Sequence, residues 1–270
     1  MNALTLFLSD EYLWIIGLTV FILMVTVRSL AERIRRRRSS AVGEGISQAG
    51  EGLIATAVVG LLSLLVAFTF SLALSRHELR RTLVVEEANA IAMGYMRAQL
   101  LDSPYRSELS NIIVSYAKVR RVSAELWGPA QLAAQKHSEA LQVPLWQRTA
   151  AAARASQNPA LANALVQSIT RMIEVEAQRK AALDARIPPA VLLALMAYAV
   201  CVAGILGYVA AGAHGHRSHI SWVLFMLIAL AFVMILDLDR PGDGFIIVSE
   251  ANMNDMIRAL PSYTIPEPKR

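Results

Sequence analysis

Charge is the first thing missing from this sequence: residues 12–27, 52–75, 187–213 and 220–236 contain no Asp, Glu, Lys or Arg. Runs of this kind exclude an ordinary soluble domain, whose helices keep a polar face toward water. A helix needs roughly 20 mostly apolar residues to cross ~30 Å of hydrocarbon, so the sequence predicts four membrane spans. The first and last runs are short, and Trp14 and Trp222 stand near their ends, where amphipathic rings settle at the interface.

Cysteine is nearly absent as well. Cys201 is the only one, which excludes an internal disulfide, and its place inside the third run suits a small packing residue. There is no glycine-rich phosphate loop, no Cys/His group at metal-ligand spacing and no nucleophile elbow. No enzyme activity, catalytic residue, cofactor or metal is therefore expected. His214, His216 and His219 lie beside Arg217 in a short connection and read as exposed loop histidines. Proline is missing from 52–101, so the second span is expected to continue as one helix of roughly 75 Å.

The charge that is present sits in the connections. Part of the net +5 comes from Arg28, Arg33 and Arg35 to Arg38, directly behind the first run, where anionic lipid is a better partner than nucleic acid. Asp10 and Glu11 precede that run, unlike the basic start of a signal peptide, so it reads as an anchor. The positive-inside rule then places the N-terminus outside and the 28–51 loop in the cytoplasm. The 76–187 region falls outside on this count. Its ends carry Arg76, Arg80, Arg81, Arg179, Lys180 and Arg186, but long loops cross largely regardless of charge.

That central region lacks strand alternation and is rich in alanine, with apolar residues three and four apart, which predicts helices. Ser103-Pro104 and Asn158-Pro159 have the form of an N-cap followed by proline in the first turn. Apolar stripes follow each: Leu109, Ile112, Ile113, Tyr116 and Val119, then Leu161, Leu165, Ile169, Met172 and Ile173. Gly128-Pro129 and Val143-Pro144 punctuate the stretch between, and Pro188-Pro189 marks a break before the third span. The expected fold is all-α: a four-span transmembrane helical protein with a helical extramembrane domain between spans two and three. Its segments are 1–51 (first span and arginine-rich loop), 52–101 (second span and its extension), 102–187 (extramembrane helices), 188–237 (spans three and four) and 238–270. In the last segment, 245–248 reads as a short strand and Ser249 as the cap of a helix carrying Met253, Met256, Ile257 and Leu260, before a flexible tail.

Three groups of residues are candidates for function. In the second span Ser63, Ala67, Ser71 and Ser75 recur every four residues as a seam of small side chains. Such a seam suits either close helix packing or a pore lining, in which Phe68 or Phe70 forms a hydrophobic constriction. Just beyond it, Arg76, Arg80, Arg81, Glu86, Glu87, Asn89 and Arg97 form a charge-rich stretch interleaved with apolar residues. Glu87 follows Arg80 by seven residues and Arg97 follows Glu86 by eleven, both near whole helical turns, which suggests pairs on one helix or with a neighbour. After the fourth span come Asp237, Asp239 and Arg240. Carboxylates at a helix C-terminus face its partial negative charge, so a compensating group is expected, arginine before a divalent ion.

The Arg76 to Leu101 stretch with its Glu-Ala-Asn-Ala core resembles the bestrophin-like proteins, a bacterial integral membrane group. Arg186-Ile187-Pro188-Pro189 and Leu236-Asp237-Leu238-Asp239-Arg240-Pro241 resemble them too, and the likeness extends from about Gly52 to Leu260. A relation to bestrophins implies a homo-oligomeric, pentameric ion channel whose second span lines the pore, with acids after the fourth span involved in Ca²⁺ control. Asp237 and Asp239 match that cluster in position only. The resulting expectation is a multi-pass protein of the bacterial inner (cell) membrane that self-associates and conducts small inorganic ions. A non-conducting scaffold or sensor, whose helical domain binds a partner, is the alternative. The partners expected are the lipid bilayer, copies of the chain and ions, and no nucleic acid.

Overall fold

The computed structural model describes residues 13–39, 48–125, 129–211, 218–240 and 245–265. The helices are α1 (Leu13–Ser39), α2 (Gln48–Ala98), α3 (Tyr105–Glu125), α4 (Pro129–Ala155), α5 (Pro159–Asp184), α6 (Pro189–Ala210), α7 (Ser218–Asp239) and α8 (Ala251–Ala259). A single 3₁₀ turn, Leu260–Tyr263, follows α8, and no strand occurs among the described residues. The missing prolines leave α2 unbroken over 51 residues, as the sequence predicts.

The chain divides into two compact units, Met1–His77 with Arg186–Ile246 and Glu78–Ala185 with Ile247–Arg270. The first holds the long apolar stretches, and four helices of the chain are long and apolar enough to cross a membrane. Leu13, Ile16, Val20 and Met24 bury one face of α1 against Leu195, Ala199 and Val202 of α6 and Phe225, Phe232 and Ile235 of α7. Glycines set how closely these helices approach. A Cβ added at Gly207 would lie 2.2 Å from the Arg28 carbonyl oxygen, and one at Gly17 would lie 2.5 Å from a Val233 methyl. Arg28 continues the α1 stripe one turn past Met24 and is buried. Arg35 bonds Glu51 at 2.5 Å and the Tyr208 carbonyl at 2.9 Å, with its guanidinium 4.5 Å from the Tyr208 ring. Two arginines of the basic cluster are thus built into the helix packing, whereas Arg33 and Arg37 remain exposed.

The second unit packs the rest of α2 with α3, α4, α5 and α8. Leu109, Ile113 and Tyr116 of α3 and Leu165, Ile169 and Met172 of α5 are buried in one core with Ile91, Tyr95, Leu145, Met253 and Leu260. Asn158 caps α5 as its sequence suggests, its Oδ1 accepting from the Ala160 and Leu161 amides at 3.0 and 3.2 Å. Pro144 does not end a helix: it sits inside α4, which tolerates the loss of one backbone donor.

The expected strand at Phe245 to Val248 is absent. The Phe245 and Ile246 amides donate to the Asp237 carboxylate at 2.8 and 3.1 Å, so the apolar run there begins in a turn held by a side chain. Ser249 is not the cap of the next helix: its Oγ accepts from the Ala251 amide at 3.3 Å, but the N-cap position falls on Glu250, one residue later. Beyond α8 the chain stays tied down: Thr264 shares a hydrogen bond with the Tyr95 hydroxyl at 2.8 Å, and the Ile265 amide donates to Gln99 Oε1 at 3.2 Å. The remainder of the expected flexible tail lies outside the described residues. So do Trp127 and the side chains of His214, His216, Arg217 and His219.

Candidate functional site

The first candidate is the outer face of α2 within its apolar stretch. Leu62, Thr69 and Ala73 are buried on one side of this helix, whereas Ser63, Ala67, Phe68, Ser71 and Ser75 are exposed on the other. Gly60 lies on the same open face, with nothing within 4 Å of where its Cβ would stand. The Ser63 hydroxyl donates to the Val59 carbonyl at 3.0 Å, a bond within the helix that lets a serine face an apolar surrounding at little cost. The two phenylalanines part company. Phe68 is 65% exposed, whereas Phe70 is half-buried against the core of its unit. Two residues turn an α-helix by about 200°, so the two rings point to different sides of α2, and Phe68 is the more open of the pair.

The second candidate lies where the sequence placed acids after the fourth span. Asp237 and Asp239 are buried at the end of α7. Asp237 takes the two amides described above, and Asp239 Oδ1 accepts from the Ile187 amide at 2.9 Å. The Arg186-Ile187-Pro188-Pro189 and Asp237 to Arg240 motifs therefore meet: one supplies the carboxylate, the other an orphan amide just before α6. Backbone N–H groups give Asp237 its compensation where arginine was expected, and Asp237 forms no ion pair among the described residues. Arg240 is buried beside them. No group of three or more His, Cys, Asp or Glu gathers in metal-binding geometry among the described residues.

The third candidate is a buried charge cluster in the second unit. Glu87, fully buried, accepts from Arg120 Nε through one oxygen and from Arg179 Nη1 at 2.6 Å through the other. Arg120 also reaches Glu176 at 3.3 Å, and Glu176 accepts from Ser138 at 3.2 Å and from Gln142. Arg179 further donates to Glu250, just ahead of α8. Burial pushes the Glu87 carboxyl up, but the Arg120 and Arg179 charges outweigh it and hold the group below the ordinary carboxylate range. Burial wins at Glu176 and Glu250: each is raised despite its arginine, and the nearby Glu87 charge adds to both shifts. Burial likewise raises the Tyr116 hydroxyl beside them.

Of the two pairings expected, on one helix or with a neighbour, Glu86 and Glu87 form the second. Glu87 pairs across to α3 and α5, and Glu86 pairs with Arg171 of α5 at 2.7 Å on the surface. Residues seven apart on a helix are about 10 Å apart along its axis, too far for Glu87 to turn to Arg80. Arg97 donates instead to the Ala164 carbonyl at 2.7 Å. Arg81 approaches Glu78 at 3.8 Å with both side chains exposed, Arg80 is buried, Arg76 is half-buried and Asn89 is exposed. Arg120, Glu176 and Glu250 are not singled out by the sequence reading, and Arg179 enters it only as a charge at the end of the central region, although three of the four carry a signal. Arg120 continues the Leu109, Ile113, Tyr116 stripe, and Glu176 and Arg179 continue Leu165, Ile169, Met172: charged residues in the register of a buried face.

The model of the bestrophin-like domain matches residues 14–253. The chain belongs to the bestrophin-like family. Solved relatives share its fold at low identity. A variant of a bacterial bestrophin homologue from Klebsiella pneumoniae superposes with a TM-score of 0.68 at 12% identity, covering 91% of this chain and 98% of that one. A second variant of that homologue gives 0.66 at 14% identity, with 92% and 98% covered. A crystal structure described only as a membrane protein gives 0.67 at 13%, with 94% and 99% covered. No curated protein matches the sequence. This bestrophin-like chain is thus a membrane protein related to bestrophin channels, and its α2 face, Asp237 and Asp239 turn and Glu87 cluster are set in a fold shared along almost its whole length.

Proposed function

We propose that the protein is a homo-oligomeric ion channel of the bacterial inner membrane, crossing it four times, in which the open face of α2 lines the ion passage. The carrying observation is how little of α2 its own chain covers. Within the apolar window of that helix 17% of residues are buried, against 33% for α1 and 44% for α7. Lipid contact alone accounts poorly for that face, because it presents Gly60, Ser63, Ala67, Ser71 and Ser75 where a lipid-facing helix favours large apolar side chains. Small residues let copies of α2 approach an axis closely, and serine hydroxyls supply polar groups along a narrow passage. Phe68 stands on the same face and supplies an apolar constriction. Family membership agrees with this reading, and a pentamer follows if assembly is as in bestrophins.

Widening the constriction tests the proposal. In purified protein reconstituted in planar bilayers, Phe68→Ala is expected to raise single-channel conductance severalfold while assembly stays intact, because a less apolar neck dewets less. Phe70→Ala, changed on the packed side, is expected to lower thermal stability and leave conductance nearly unchanged. Intact assemblies of both variants and of the wild type that pass no ions at any voltage would favour the scaffold or sensor alternative.

A further inference from the structure

The Glu87 cluster holds one more acid than it has bases to match. Three carboxylates, Glu87, Glu176 and Glu250, face two guanidiniums, Arg120 and Arg179. Each arginine is shared between two acids, and Glu87 is the one acid that both arginines reach. Glu250 is left with a single arginine contact, and its other oxygen, Oε2, is buried without a hydrogen-bond partner. A buried carboxylate oxygen with no donor is costly as an anion and acceptable as a neutral acid. Glu250 also precedes a segment whose docking it helps hold: α8 buries Met253 and Met256, and Leu260 of the following turn joins the same core.

We infer that this cluster is a proton-binding site, and that one proton taken up at Glu250 or Glu176 tightens the docking of the 250–265 segment onto α2, α3 and α5. One proton brings the cluster from a net charge of minus one to neutrality, the state a buried site favours. The groups facing Glu250 are Glu87 from α2, Arg120 from α3 and Arg179 from α5. Those facing Glu176 are Arg120 and Tyr116 from α3, Glu87 from α2, and Ser138, Gln142 and Glu139 from α4. Glu139 is itself answered at the surface by Lys180 at 2.7 Å.

The direction of the effect follows from linkage. Docked Glu250 binds its proton more strongly than released Glu250, so acid favours the docked state. The tightening is complete below the ordinary glutamate value of about 4.3 and fades as pH rises through the raised docked value. This couples a proton to the C-terminal segment independently of whether the protein conducts ions.

Hydrogen–deuterium exchange on the full-length protein in lipid nanodiscs tests it, read as protection factors of the 253–263 amides with the intrinsic pH dependence divided out. In the wild type these factors are expected to fall as pH rises from about 4.3, by at most about tenfold per unit for one coupled proton, and to level off once docked Glu250 has lost its proton. Glu250→Gln, a neutral copy of the protonated side chain, is expected to keep protection high and flat with pH. Glu176→Gln removes the surplus charge at the other end of the cluster and is expected to flatten the profile as well. A flat wild-type profile, or Gln variants that keep the wild-type slope, would overturn the site. A Glu250→Gln profile that is flat but uniformly low would also overturn it, since the charged pair with Arg179 would then be what holds the segment.

Discussion

Replacing Arg179 by methionine is expected to cost about 3–5 kcal/mol of folding stability, the usual consequence of removing one member of a buried, hydrogen-bonded charge pair. Methionine keeps much of the apolar stem, so the loss isolates the guanidinium. Arg179 answers Glu87 at 2.6 Å and also bonds Glu250, and removing it leaves three buried carboxylates facing Arg120 alone. The pH dependence gives the effect a signature. With fewer cations, the two acids whose titration is already raised, Glu176 and Glu250, bind protons still more strongly in the folded state. A group raised on folding stabilises below its unfolded value and loses that contribution as pH rises through its folded value, so the variant's deficit is expected to shrink on acidification. Glu87 works the other way: its lowered carboxyl stabilises above about 4.3 and is lost as pH falls through its folded value. Chemical or thermal unfolding of wild type and variant in detergent across pH checks this. A deficit below ~1 kcal/mol at neutral pH, the size of a surface pair, would contradict the buried-cluster account.

Gly207→Val is expected to have a comparably large effect on the first unit, by sterics instead of charge. The added Cβ would lie 2.2 Å from the Arg28 carbonyl oxygen and 2.9 Å from its carbonyl carbon, so α1 and α6 must separate. Backbone cannot swing aside as a side-chain tip can. Separation also disturbs the neighbouring Tyr208, whose carbonyl and ring hold Arg35. Overpacking of this kind costs about 1–3 kcal/mol and more where backbone is the obstacle. Gly204→Ala is the control, because its Cβ would meet a Val27 methyl at 3.5 Å, an ordinary contact. The yield of folded protein from membranes and its melting temperature are the measurements: a steep drop for Gly207→Val beside a near wild-type Gly204→Ala is expected.

What could be read in the sequence depended on how local the determining pattern was. The four helices long and apolar enough to span a membrane, the unbroken α2, the Asn158 cap and the two apolar stripes of the central region are each fixed within a few helical turns, and all appear in the structure. The strand at Phe245 failed because a short apolar run says nothing about what an amide bonds to, and here the acceptor is a carboxylate eight residues earlier. The charge pairs were legible only as a choice between the same helix and a neighbour, for a related reason. Helical spacing along α2 pointed Glu87 to Arg80, while its partners are 33 and 92 residues further along the chain. Those partners were nonetheless marked in the sequence, since an arginine or glutamate in register with a buried stripe needs an opposite charge across the core. Phe68 and Phe70 illustrate the remaining gap: spacing showed that they face differently, but only the fold shows which of the two faces is covered.

Block of current through a cysteine at position 71 tests the central claim most directly. Cys201 is exposed, so the change is made in a Cys201→Ser background. Ser71 lies midway along the open face of α2, and Ser71→Cys there is expected to assemble and to conduct as the background protein does. A charged, water-soluble thiol reagent is then expected to abolish most of the current in planar bilayers, and to leave the Cys201→Ser protein untouched. An assembled Ser71→Cys protein that reacts fully with the reagent and carries an undiminished current would contradict the assignment of this face to the ion passage.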